Sequence, residues 1–88
     1  MKGGGCLQFD NKKVGETIRS LRIKKGITQE VLSGLAGIAR THLTMIESGK
    51  KQPNFETIWK IANALDISQH ELVFLIEKEA QKRALAAK

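Results

Sequence analysis

The chain is short of the residues from which most catalytic, metal and secreted-protein sites are built. It holds one cysteine, Cys6, so no disulfide can close within it. Cys6 follows the glycine run Gly3-Gly4-Gly5, and two readings stand: a spectator thiol, or an interchain or redox-sensing one. The lack of a cysteine framework fits a reducing compartment, so a cytoplasmic location is expected. Tyrosine is absent and the aromatics are Phe9, Phe55, Phe74 and Trp59. That is too few for a single-strand binder built on exposed stacking rings. No apolar run approaches the roughly 20 residues that span a membrane. Residues 1–6 have no apolar signal-peptide core. His42 and His70 lack cysteine or acidic neighbours at metal-ligand spacing. The only glycine run lacks the Lys-Ser/Thr of a phosphate loop, and Ser48, in Glu-Ser-Gly, has no nucleophile elbow. No catalytic residue, metal, cofactor or small-molecule substrate is therefore expected.

What the chain has is positive charge. Fifteen Lys and Arg against nine Asp and Glu leave a net charge of +6 on 88 residues. A basic domain of this size attracts polyanions, of which duplex nucleic acid is the commonest. The length suits one domain with a small core. Residues 10–77 are expected to form it, after a flexible leader at 1–9. Residues 78–88 either extend the last helix or fray.

Apolar periodicity predicts an all-α fold of five helices and no strand. Val14, Ile18 and Leu21 recur at steps of four and three, which marks a first helix over about Asn11–Lys25. Gly26 stops it. Thr28 caps a second helix whose apolar face reads Val31, Leu32 and Leu35. Gly34 inside it should cost about 1 kcal/mol relative to alanine, and Gly37 turns the chain. The third helix starts near Ala39 with Leu43 and Ile46 inward, and Pro53 forbids its continuation. Asn54 caps a fourth helix with Phe55, Ile58, Ala62 and Leu65 at 3-4-3 spacing. Asp66 stands where glycine usually ends a helix, and Ser68-x-x-Glu71 is a capping box for the fifth. Leu72-Val73-Phe74-Leu75-Ile76 covers every side of that helix. Either it lies deep in its own core, or Leu72, Phe74, Leu75 and Ile76 supply a dimer interface.

Residues 28–49 carry the functional signal. Two short apolar-periodic segments are joined by a glycine turn, and the second opens with Arg40, Thr41 and His42. A helix-turn-helix needs this arrangement if its second helix is to present its N-terminal end to base edges. Lys50 and Lys51 follow, and Asn54 starts the next helix, so loop cations and helix N–H groups could hold the DNA backbone. An ordinary solvated loop is the other reading. The Lys12-Lys13 and Lys24-Lys25 pairs are further candidates for backbone contact.

The motifs Leu-Arg-x-x-Lys-Gly-Ile-Thr-Gln-Glu, then Ala-Gly-Ile-Ala-Arg-Thr-His-Leu-Thr-x-Ile-Glu-Ser-Gly-Lys, then Pro-Asn-Phe-Glu-Thr-Ile-Trp-Lys-Ile-Ala resemble the lambda-repressor-like, Cro-type (XRE) helix-turn-helix family. The likeness covers residues 18–68. The Arg40-Thr41 opening and the fifth helix are similar to the controller proteins of restriction-modification systems. The resemblance implies a five-helix lambda-repressor-like fold with the third helix in the major groove. It implies base contacts by Arg40, Thr41 and Met45, with Thr44 close by, and backbone contacts by Gln29 and His42. It makes Ser33 the small residue where two helices approach, Gly37 the left-handed turn, and Arg22–Glu47 an ion pair. A solvated Glu47 is the alternative to that pair. Arg40 could read guanine O6 and N7 with two hydrogen bonds, or clamp a phosphate without reading sequence.

The leading expectation is a homodimeric regulator bound to a palindromic duplex operator. The alternative is a protein-interaction or antitoxin module on the same fold, whose fifth helix meets another protein.

Overall fold

The structure, a computed structural model, describes residues 10–86, with side chains described as far as Glu79. Cys6 and the leader at 1–9 lie outside the described residues, as do residues 87 and 88. Five helices follow one another: α1 (Asn11–Lys25), α2 (Gln29–Ala36), α3 (Arg40–Glu47), α4 (Phe55–Ala64) and α5 (Gln69–Ala86). No strand occurs among the described residues.

Four of the five starts are set by a local side-chain cap. Asp10 accepts from Lys12 N–H, Thr28 from Val31 N–H, Asn54 from Thr57 N–H and Ser68 from Glu71 N–H. Such caps satisfy first-turn N–H groups that have no partner inside the helix. The α2–α3 turn closes on Gly37 at φ 75°, with Gly37 and Ile38 both donating to the Ser33 carbonyl. A left-handed residue here lets the two helices meet, and only glycine adopts it without a Cβ penalty. Asp66 plays the same part after α4 at φ 64°.

α1 packs on α3 and α5, α2 on α3 and α4, and α4 on α5. The core between them holds Val14, Ile18, Leu32, Ala36, Leu43, Ile46, Ile58, Ile61, Ala62, Leu65 and Leu72. Several expected assignments change. Val31 and Leu35 are 45% and 63% exposed, because α2 turns Leu32, Ser33 and Ala36 inward instead. Leu32 fills the core there, and the small Ser33 and Ala36 flank it where α2 packs on α3 and α4. Phe55 is also exposed, edge-to-face with Trp59 at 6.0 Å on the outer side of α4. On α5, Leu72 is fully buried in this chain's own core, so it leaves the candidate dimer interface. Ile76 packs partly against the core, Leu75 is half-buried, and Phe74 and Val73 are 56% and 40% exposed.

Gly34 is exposed in mid-α2, and a Cβ built there meets nothing within 4 Å. Only the glycine backbone penalty acts at this site, so Gly34→Ala should stabilise the fold by about 0.5–1 kcal/mol. Thermal melting checks this: an unchanged or lower midpoint would contradict the open-space reading.

Candidate nucleic-acid interface

α3 is amphipathic in the way a reading helix requires. Leu43 and Ile46 are fully buried, while Arg40, Thr41, Thr44 and Met45 are exposed together. His42 is half-buried. Ala39 gives α3 no side-chain cap, so its first N–H groups stay open to water or an anion. Past the other end, Lys50 and Lys51 are exposed, and their N–H groups both donate to the Met45 carbonyl, which folds the loop back on α3. Asn54 uses Oδ1 for its cap, leaving its amide nitrogen as a donor.

Behind this face a polar network fixes the orientation of α3. Glu47 is buried at the helix end, its side chain 3% exposed. Arg22 donates to both its oxygens, Nε at 2.8 Å and Nη2 at 3.1 Å, and Nη1 holds the Ile27 carbonyl at 3.0 Å. Gln29 Nε2 donates to the same carboxylate at 2.9 Å, and Thr44 Oγ1 donates to Gln29 Oε1 at 2.9 Å. The bidentate pair ties α1 to α3, and Gln29 adds α2. The paired arrangement of Arg22 and Glu47 thus holds, and the solvated one does not. Ser33 is buried, its hydroxyl donating to the Glu30 carbonyl, so a polar residue is satisfied at the close approach of α2.

Sequence reasoning missed three features. A Cβ on Gly15 would overlap the Ile46 carbonyl oxygen and lie 2.6 Å from that of Glu47, so α1 crosses the carbonyl end of α3 at backbone contact. A glycine in mid-helix on an otherwise buried stripe was the available signal. Lys13 is buried and its Nζ pairs with Glu16 at 3.2 Å, which withdraws it from the backbone-contact candidates. Lys12 lies against Gly49, with its Cγ 2.9 Å from where a Cβ there would stand.

Among the described residues, no three His, Cys, Asp or Glu side chains gather as a metal site. None of their helices is long and apolar enough to cross a membrane.

The sequence of this site is matched by a family model described as helix-turn-helix over residues 18–72, more than half of the chain. The chain belongs to the helix-turn-helix family. An uncharacterised HTH-type transcriptional regulator, y4dJ, of Sinorhizobium fredii is 37% identical over 62 residues, covering 70% of this chain and 80% of that protein. The chain spans only about half the length of two other regulators that it matches, 56% and 50%. Among solved structures, the restriction-modification controller protein C.AhdI from Aeromonas hydrophila is 39% identical with a TM-score of 0.68, covering 70% of this chain and 94% of that one. Controller protein C.Esp1396I, as a tetramer in complex with its natural 35 base-pair operator, is 27% identical with a TM-score of 0.77, covering 84% of this chain and 97% of that one. The helix-turn-helix fold and the likeness to controller proteins, both expected from the motifs, are matched by these structures.

Proposed function

We propose that this helix-turn-helix regulator acts as a homodimer that places α3 in the major groove of a duplex operator. The observation that carries this reading is the exposed row Arg40, Thr41, Thr44 and Met45, held on a helix whose far end is braced by a buried ion pair. Rigid presentation matters because base contacts need sub-ångström register. Gln29, His42, Lys50, Lys51 and Asn54 flank the row and hold phosphates. That C.Esp1396I forms a complex with its operator supports duplex-DNA binding here.

Arg40 and Lys51 separate base reading from backbone grip. Arg40→Ala should weaken the preferred site by about 1–3 kcal/mol and flatten discrimination at one base pair per half-site. Lys51→Ala should weaken specific and random DNA by similar factors. It should also make the salt dependence shallower by about one unit for each phosphate no longer neutralised. Titrations against operator, single-base variants and random duplex at several salt concentrations test both. An Arg40→Ala protein that keeps its full base preference would make Arg40 a phosphate clamp.

The exposed α5 residues Val73 and Phe74, with Leu75 beside them, form the dimer face in this reading. Two-fold symmetry then requires a roughly palindromic operator with half-sites about 34 Å apart. Phe74→Lys should yield monomers with much weaker operator binding, seen by sedimentation. A dimeric Phe74→Lys protein would move the interface elsewhere, and a monomeric unmodified chain would favour a different protein as the occupant of α5.

A further inference from the structure

The geometry points to Thr44 as a hydrogen-bond acceptor, and not a donor, toward the bases. The inference rests on the major-groove reading above and follows from the order of donors in the network behind α3. It starts at Glu47. An ionised carboxylate can only accept, and Glu47 is enclosed by donors: Arg22 Nε at 2.8 Å, Arg22 Nη2 at 3.1 Å and Gln29 at 2.9 Å. The Gln29 amide must therefore turn its nitrogen to Glu47. Its oxygen then faces Thr44 Oγ1 at 2.9 Å and can only accept from it. The other neighbour of the hydroxyl is the Arg40 carbonyl oxygen at 3.0 Å, again an acceptor. Thr44 has one hydroxyl proton, and both protein neighbours are acceptors that compete for it. The lone pairs of Oγ1 are what this exposed hydroxyl has left for hydrogen bonding to DNA.

In the major groove the donors are the N4 amino group of cytosine and the N6 amino group of adenine. Guanine N7 and O6, adenine N7 and thymine O4 only accept. Thr44 thus favours a base that places an exocyclic amino group against it. A buried charge at the far end of α3 sets this polarity through Gln29.

The test is a double-mutant cycle between protein and DNA. An operator is first selected from random duplexes with the unmodified protein. Its single-base variants are then titrated with the unmodified protein, Thr44→Val and Thr44→Ser, all checked for helicity. Thr44→Val keeps the shape and removes the oxygen. It should lose about three- to tenfold in affinity, the worth of one neutral hydrogen bond, with the loss of preference confined to one base pair per half-site. Thr44→Ser should keep that preference. At this base pair, replacing adenine by purine, or cytosine by 2-pyrimidinone, removes the amino donor. The unmodified protein should lose the same factor, and Thr44→Val should lose nothing more. Coupling instead to a purine N7, detected with the 7-deaza base, would overturn the assignment. So would an unchanged preference profile for Thr44→Val. If the unmodified protein selects no duplex at all, the DNA-binding reading itself falls, a result distinct from either of those.

Discussion

Glu47→Ala is expected to lower the stability of the fold by about 3 kcal/mol, the range found when one partner of a buried ion pair is removed. The Glu47 side chain is 3% exposed and that of Arg22 is 11% exposed, so solvent cannot replace a missing partner cheaply. Without the carboxylate, the Arg22 guanidinium keeps only the Ile27 carbonyl, and Gln29 Nε2 loses its acceptor. A domain of this length has only about 4–13 kcal/mol in total, so the loss is a large fraction. Arg22→Ala should lose a comparable amount, because it strands the carboxylate with Gln29 alone. The double variant should lose clearly less than the sum, since it strands neither charge. Urea unfolding of the four proteins measures the coupling. Two small and additive losses would mean that the pair contributes nothing as a pair. The cost arises from breaking the pair and stranding one charge. Replacing both groups by well-packed apolar residues could leave stability unchanged while freeing α3 to reorient.

The helix limits were legible because caps are local chemistry. Thr28, Asn54 and Ser68 each act within three residues of themselves, and Gly26 and Gly37 need only their own backbone freedom. Asp66 was readable for the same reason, as the residue standing where the chain must turn left-handed. Burial was less legible. α2 has more apolar residues than one stripe can bury, and periodicity alone does not say which stripe faces inward. Leu32, Ser33 and Ala36 are buried and Val31 and Leu35 are not, because the packing of α3 and α4 decides which stripe of α2 faces inward, a tertiary fact. Leu72 shows the same limit on α5: five apolar residues in a row exceed one buried stripe, without saying which of them enter the core. The outward face of α3 was legible, since Leu43 and Ile46 three residues apart define the inner side and leave Arg40, Thr41, Thr44 and Met45 on the outer one. The polarity of Thr44 was not. It depends on a chain of contacts across residues far apart in sequence, from Glu47 through Gln29.

Gly15→Ala should be destabilising by about 2 kcal/mol, although it improves the helix propensity of α1. Two terms of opposite sign compete. Replacing a mid-helix glycine by alanine gains about 1 kcal/mol from backbone entropy. Against this, the new methyl group would overlap the Ile46 carbonyl oxygen and stand 2.6 Å from the Glu47 carbonyl oxygen. Both obstacles are backbone at the end of α3, so no side-chain rotation relieves them, and overpacking lies at the upper end of its usual range of about 1–3 kcal/mol or beyond it. The clash must be relieved by moving α1 away from α3. That movement stretches the Arg22–Glu47 bonds, which span the same two helices. The Gly15→Ala and Glu47→Ala losses should therefore fall short of additivity in the double variant. Gly34→Ala is the internal control: the same substitution, in a helix, with nothing within 4 Å of the new carbon. The two variants should shift the melting temperature in opposite directions. If both raise it, α1 does not cross α3 at backbone contact, and the brace on the reading helix rests on the ion pair alone.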